Sequence, residues 1–331
     1  MLPAIAKGST ILVTGCNGFI GSHIVDQLLI LGYQVRGRTR DLPNIKLLSE
    51  QWEKMHGRGR FKAIRISNIA EDGVFDGHLD GISGIIHVAS NVSMSSSPSI
   101  VIPKTIAGCL NLLRAAQKYP EIKSFVYKSS SLAASPVYPD IKLPVDFTSW
   151  NEIAIREAEE ENPKGSHVYA ASKALSEQTL WKFVDEEKPG FRVNTILPDM
   201  VTGQILDKSK EPAHSGNFAL RLMKGERLDI PLSLYWFIDV QDTALLHIAA
   251  LLSPKIDHER ILAFGGAFNW NDILEIIRKL RPSQQVVENY MPQLPPVSTS
   301  ASERGLELLR SMGKERWTSL EESVRNNLEG W

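Results

Sequence analysis

The stretch Ile11-Leu12-Val13-Thr14-Gly15-Cys16-Asn17-Gly18-Phe19-Ile20-Gly21 decides the fold. Ile11 to Val13 is a short apolar run, which reads as a strand buried on both faces of a parallel sheet. Glycines follow at 15, 18 and 21. Beyond them Ile20, Ile24 and Leu28, with Val25 and Leu29, fall at helical spacing. Glycines in a strand-to-helix turn allow a tight bend and let the backbone come close to a pyrophosphate. The helix then offers it N–H groups and a partial positive charge. A glycine-rich turn alone can be merely structural. The strand before it and the helix after it make it a dinucleotide cradle, with Gly15, Gly18, Phe19, Ile20 and Gly21 against the cofactor.

Working outward, Gln34 to Thr39 reads as the second strand. A site for NAD would place Asp or Glu at its end for the ribose 2′-OH. Here the chain runs Val35-Arg36-Gly37-Arg38-Thr39-Arg40. Cations without a carboxylate suit a 2′-phosphate, so the expected cofactor is NADP(H). Arg40 is the expected clamp, with Arg38 behind it and Lys46 assisting. Phe61 to Ile66 is a third strand, and Asn68-Ile69 should lie by the adenine. Gly84 to His87 is a fourth, placing Ala89 and Ser90 at the carboxyl edge of the sheet beside the crevice. His87, in an apolar strand, reads as a core residue. The helix after it is expected over Thr105 to Gln117. Ser124 to Lys128 is a fifth strand that ends in Ser129-Ser130-Ser131, and Arg192 to Pro198 a sixth. Pro198 and Val201 should border the cofactor. Residues 204–236 have no strong period and read as a pocket wall. A helix is expected over Asn269 to Leu280, and Ser319 to Glu322 has the pattern of a capping box. The expected fold is α/β, a doubly wound parallel sheet of Rossmann type. The expected division is a cofactor domain over 1–198 and 238–263, and a substrate lobe over 199–237 and 264–331.

The chemistry is expected in His167-Val168-Tyr169-Ala170-Ala171-Ser172-Lys173. The segment lacks Gly and Pro and reads as helix, on which Tyr169 and Lys173 share a face. A phenol titrates near pH ~10, too high for a donor at neutrality. A nearby ammonium favours the phenolate. A hydroxyl at the end of the fifth strand could polarise a substrate carbonyl. Y-x-x-x-K alone also fits an ordinary amphipathic helix, so the surrounding pattern decides.

Composition narrows the field. The chain has 331 residues and a formal net charge of −1, so no basic excess points to nucleic acid. No uninterrupted apolar run of membrane length is seen, and no secretory signal pattern. Two cysteines, Cys16 and Cys109, lie far apart, which excludes a disulfide framework and fits a reducing compartment, the cytoplasm. Neither has the neighbours of a metal site.

These pieces together resemble the extended short-chain dehydrogenase/reductases, the NAD(P)-dependent epimerase/dehydratase group. Within it the chain looks most like fungal NADPH-dependent aldehyde and carbonyl reductases and dihydroflavonol reductases. The likeness runs the length of the chain. It rests on Val13 to Gly21, Val35 to Arg40, His87 to Ser90, Phe125 to Ser130, Val168 to Lys173, Ile196 to Pro198, Ala267 to Trp270, and Ser319 to Val324. The resemblance implies Ser130 as the catalytic hydroxyl, Tyr169 as the acid, and Lys173 as its partner and a grip on the nicotinamide ribose. Lys128 departs from the small hydroxyl residue usual there, and Asn68 from the usual Asp.

The expected reaction is hydride transfer from NADPH to a small carbonyl substrate, with Val92, Pro136, Met200, Tyr235 and Trp236 forming a largely apolar wall. The expected assembly is a monomer or homodimer, with neither membrane nor nucleic acid as a partner. One alternative is a nucleotide-sugar epimerase or dehydratase with bound NAD. Ser131-Leu132, where that dehydratase branch carries Asp-Glu, and Arg40 both speak against it. The other is a non-catalytic NADP sensor, against which stands the presence of both Tyr169 and Lys173.

Overall fold

The computed structural model describes residues 3–136, 145–212, 214–229, 236–291 and 302–331. In chain order the elements are β1 (Thr10–Thr14), α1 (Phe19–Ile30), β2 (Gln34–Thr39), α2 (Lys46–His56), β3 (Phe61–Arg65), β4 (Ile82–His87), α3 (Pro98–Gln117), β5 (Ser124–Lys128), α4 (Glu152–Glu157) and α5 (Gly165–Glu187). They continue with β6 (Arg192–Pro198), β7 (Met200–Thr202), α6 (Phe218–Met223), β8 (Trp236–Asp239), α7 (Val240–Leu252), β9 (Glu259–Ala263), β10 (Gly266–Ala267), α8 (Trp270–Leu280), α9 (Glu303–Ser311) and α10 (Leu320–Asn327).

Seven strands form one parallel sheet in the order β3-β2-β1-β4-β5-β6-β9. Chain order reverses between β1 and β4, and a crevice opens at the carboxyl ends of strands at such a switch. Helices cover both faces. Ile11 and Val13 enter the core shared with α1 and α7, and Leu12 the core shared with α3 and α5. Burial on both sides is why these strands are continuous apolar runs rather than alternating ones.

α3 begins earlier than the expected Thr105. Pro98 opens its first turn, where a missing N–H costs nothing, and Pro103 is carried inside it. Among the described residues α3 is the one helix long and apolar enough, by length and composition, to cross a membrane. Here it lies against α5 and buries Cys109, Leu112 and Leu113 in the core between helix and sheet.

A smaller sheet, in the order β10-β8-β7, carries the rest. Its core joins Met200, Leu220, Phe237, Trp270, Ile273, Val324 and Leu328. The sequence division is crossed by α9, whose Leu308 and Leu309 pack into the α1–α7 core of the large sheet. Two carboxylates at the head of α7 hold the C-terminal segment. Asp239 accepts from Ser323 Oγ at 2.8 Å, and fully buried Asp242 accepts from the Thr318 N–H at 2.8 Å and from Lys314. Ser319 caps α10 by accepting from the Glu322 N–H at 3.2 Å, which is the first half of the expected box. The reciprocal pair forms instead at α8, between Asn269 and Asp272.

Candidate active site

The glycine turn leaves β1 with Gly15 at φ 69°, in the left-handed region open to glycine. A Cβ at Gly21 would lie 2.1 Å from the Gly15 carbonyl oxygen, so the turn and the first turn of α1 are in backbone contact. Gly18 stands at the N-cap of α1 with no capping side chain, and the first turn holds no acid. The opening N–H groups of that helix therefore face outward for a ligand. Thr14 Oγ1 accepts from the Val88 and Ala89 N–H groups at 3.0 and 3.1 Å and hydrogen-bonds His87 Nδ1 at 2.8 Å. His87 is pushed down to about 3 by burial, then by the Lys173 and Arg38 charges. It is a satisfied core residue, as its strand position implied. Ser90 Oγ is buried with no hydrogen-bond partner among the described residues.

The cations after β2 divide. Arg40 is exposed and makes no hydrogen bond or ion pair among the described residues. Arg38 is buried; its guanidinium donates to the Ile66 carbonyl and, at 3.2 Å, to the Ser67 carbonyl. It is thus spent in holding the exit of β3, although its Nε is buried without a partner among the described residues. Lys46 is exposed and lies 3.9 Å from Glu50. Asn68 Oδ1 accepts from the Ala70 N–H at 3.1 Å, while its amide donates to Glu71 at 3.0 Å. Ile69 packs against Gly108 of α3.

The orphaned Ser90 hydroxyl, the uncapped α1 terminus, the close Gly15–Gly21 approach and the free Arg40 form a donor set that fits a dinucleotide with an extra phosphate. Gly15, Gly18, Phe19, Ile20, Gly21 and Ser90 would hold its pyrophosphate side, and Arg40 its ribose phosphate.

The residues expected to react come from the exit of β5 and from α5. Lys173, wholly buried, donates from Nζ to the carbonyl of Lys128 at 3.2 Å. Ser130 lies two residues further on. Its Oγ accepts from the Leu132 N–H at 3.3 Å, so its own proton is free among the described residues. α5 packs on the short turn that Ser130 caps, Ser131–Ala133. Tyr169, one turn before Lys173, is 8% exposed, and its hydroxyl has no protein partner among the described residues. Burial, followed by the Lys128 charge, holds the Lys173 ammonium well below its usual range, while Glu177 opposes the shift.

Glu177, fully buried one turn after Lys173, was not singled out from the sequence. It accepts from Ser129 Oγ at 2.6 Å, Thr195 Oγ1 at 2.7 Å and Arg260 Nε at 2.9 Å. Arg260 also stacks on Trp150 at 3.7 Å and donates to the Phe147 and Ser149 carbonyls, both at 2.8 Å. The i, i+4 spacing from Lys173 was the available signal. Two further residues carried none. His214, at φ 55°, stacks its ring along Tyr169 at 6.4 Å and pairs Nε2 with the Val92 carbonyl at 2.7 Å. Asp199 accepts from Ser131 Oγ at 3.0 Å and from the Trp236 N–H at 3.3 Å, and burial raises it to about 7.

Of the expected wall, Val92 is exposed, Pro136 is half-buried and Trp236 stacks on Phe264 at 4.7 Å. Met200 is instead a core residue of the smaller sheet, and Val201 of the larger one, because β7 threads between the two cores. Pro198 ends β6, paired with Ala263. Tyr235 lies outside the described residues.

A family model described as the NAD dependent epimerase/dehydratase family matches residues 11–265. The chain belongs to that family. It is 36% identical over 330 residues to aldehyde reductase 2 of Sporidiobolus salmonicolor, covering 97% of this chain and 96% of the relative. It is also 36% identical over 336 residues to ketoreductase adrE of Penicillium rubens, covering 98% and 97%. The fold superimposes on Gre2 in complex with NADPH from Candida albicans with a TM-score of 0.83 at 24% identity, covering 97% of this chain and 98% of that one. The α/β fold of Rossmann type and the family expected from the motifs both stand.

Proposed function

We propose that this protein is an NADPH-dependent reductase of aldehydes or ketones. The observation that carries the reading is the arrangement at the exit of β5: Lys173 fastened to the Lys128 carbonyl, Ser130 two residues beyond that carbonyl with its proton uncommitted, and Tyr169 one helical turn before Lys173 with no hydroxyl partner among the described residues. The printed names of the relatives, an aldehyde reductase and a ketoreductase, support it. Bound NADPH supplies the hydride. Ser130 donates to the substrate carbonyl oxygen, and Tyr169 delivers a proton as negative charge builds there. Lys173, one helical turn from Tyr169, favours the phenolate in its charged form and would also hold the nicotinamide ribose. Ala89, Ser90 and Asn68 with Ile69 would line the nucleotide, and Pro198 its far side. The free, buried thiols of Cys16 and Cys109 suit a reducing compartment such as the cytoplasm.

The test is loss of NADPH absorbance with a panel of aldehydes, β-keto esters and aryl ketones. Tyr169→Phe should lower kcat by about 10²–10⁴-fold, the range of a general acid. Near-wild-type reduction by that variant would overturn the mechanism.

A further inference from the structure

Lys128 ends β5, and the mechanism above uses only its carbonyl. As the last residue of β5 it follows the strand's alternation. Phe125 and Tyr127 face α3 and α5, while Val126, and with it Lys128, belongs to the opposite face. The side chain is half-buried, and among the described residues its ammonium makes no hydrogen bond or ion pair. Its charge is nevertheless felt on three elements. After burial, it lowers Lys173 on α5, His214 on the turn over Tyr169, and His247 on α7. The buried carboxylates of the site are engaged elsewhere, Glu177 by Ser129, Thr195 and Arg260, and Asp199 by Ser131 and the Trp236 N–H. Partial burial of an unpaired ammonium costs free energy that an anion would offset.

The anion's source follows from position. The cofactor's phosphates belong at the exits of β1 and β2. β5 lies two strands from β1, away from β2, or roughly 10 Å across the sheet. Two residues of extended chain, about 7 Å, separate Lys128 from Ser130, so an anion paired with Lys128 would fall nearer the carbonyl at Ser130 than the phosphate cradle does. We propose that Lys128 is a substrate-binding residue, and that the substrate carries a carboxylate on the carbon next to its carbonyl or one carbon further, a 2- or 3-oxo acid. This rests on the reductase reading and names the substrate class for it.

The experiment pairs each oxo acid with its ester, benzoylformate with methyl benzoylformate and benzoylacetate with ethyl benzoylacetate. Steady-state rates are measured on wild type, Lys128→Met and Lys128→Arg, and NADPH affinity by fluorescence titration. The acid-to-ester ratio of kcat/KM should fall at least about tenfold in Lys128→Met for one of the two pairs, as loss of a charged hydrogen bond implies. Lys128→Arg should restore most of it. An unchanged ratio in both pairs overturns the proposal. So does weaker NADPH binding with an unchanged ratio, which assigns Lys128 to the cofactor. Failure of wild type to reduce any carbonyl compound overturns the reductase reading instead.

Discussion

Removing the Glu177 carboxylate tests whether the network behind the proposed reacting groups holds the fold as well as the site. Glu177→Ala leaves the Arg260 guanidinium, 9% exposed at its side chain, without its charge partner, and the Ser129 and Thr195 hydroxyls without an acceptor. Taking one partner from a buried pair costs about 3–5 kcal/mol. Arg260 keeps the Phe147 and Ser149 carbonyls and the Trp150 face, which argues for the lower end, about 3 kcal/mol. A chain of 331 residues melts with an entropy of about 0.7 kcal/mol per kelvin. The expected fall in Tm is therefore about 4 °C. Glu177→Gln retains the shape and one acceptor oxygen and should lose about half as much. Calorimetry at neutral pH measures both. A fall below about 1 °C in the alanine variant would refute the reasoning, since the pair would then be near-neutral against its own desolvation.

Arg40→Ala should lower the NADPH-to-NADH ratio of kcat/KM by about ten- to a hundredfold, the worth of a charge-assisted hydrogen bond; an unchanged ratio removes Arg40 from the phosphate site. His23, on α1, pairs Nε2 with the Gln204 carbonyl at 2.8 Å and is held by burial at about 4. Its folded value lies below the unfolded 6.5, so its contribution is whole above pH 6.5 and is lost as pH falls toward 4. The amount is about 3 kcal/mol. His23→Gln should flatten the acid limb of stability between those values, read from urea midpoints at pH 7 and pH 4.5. An identical acid limb in the variant would count against that assignment.

The strands of the large sheet were legible because a strand covered on both faces must be apolar throughout, as Ile11 to Val13 and Phe125 to Tyr127 are. The glycine turn was legible because backbone approaches as close as Gly15 to Gly21 admit no side chain. Other features had no local signature. Arg38 and Arg40 look alike in sequence, and only the position of the Ile66 and Ser67 carbonyls separates a bound guanidinium from a free one. His214 reaches Tyr169 across more than forty residues of chain, and no periodicity announces such a contact. Met200 reads as a pocket residue until the second core behind it is known. The lobe boundary was blurred because α9 returns to the large sheet after a long excursion.

The carboxylates that open α7 bear on where this chain can be cut. Lys314, Thr318 and Ser323 meet the polar needs of Asp239 and Asp242. Trimming the polypeptide before Lys314 would strand two buried acids at the head of a central helix, and a dissected catalytic half would inherit both. New termini belong at turns such as the one through Gly57 and Gly59, where an added Cβ would meet nothing within 4 Å among the described residues beyond its chain neighbours.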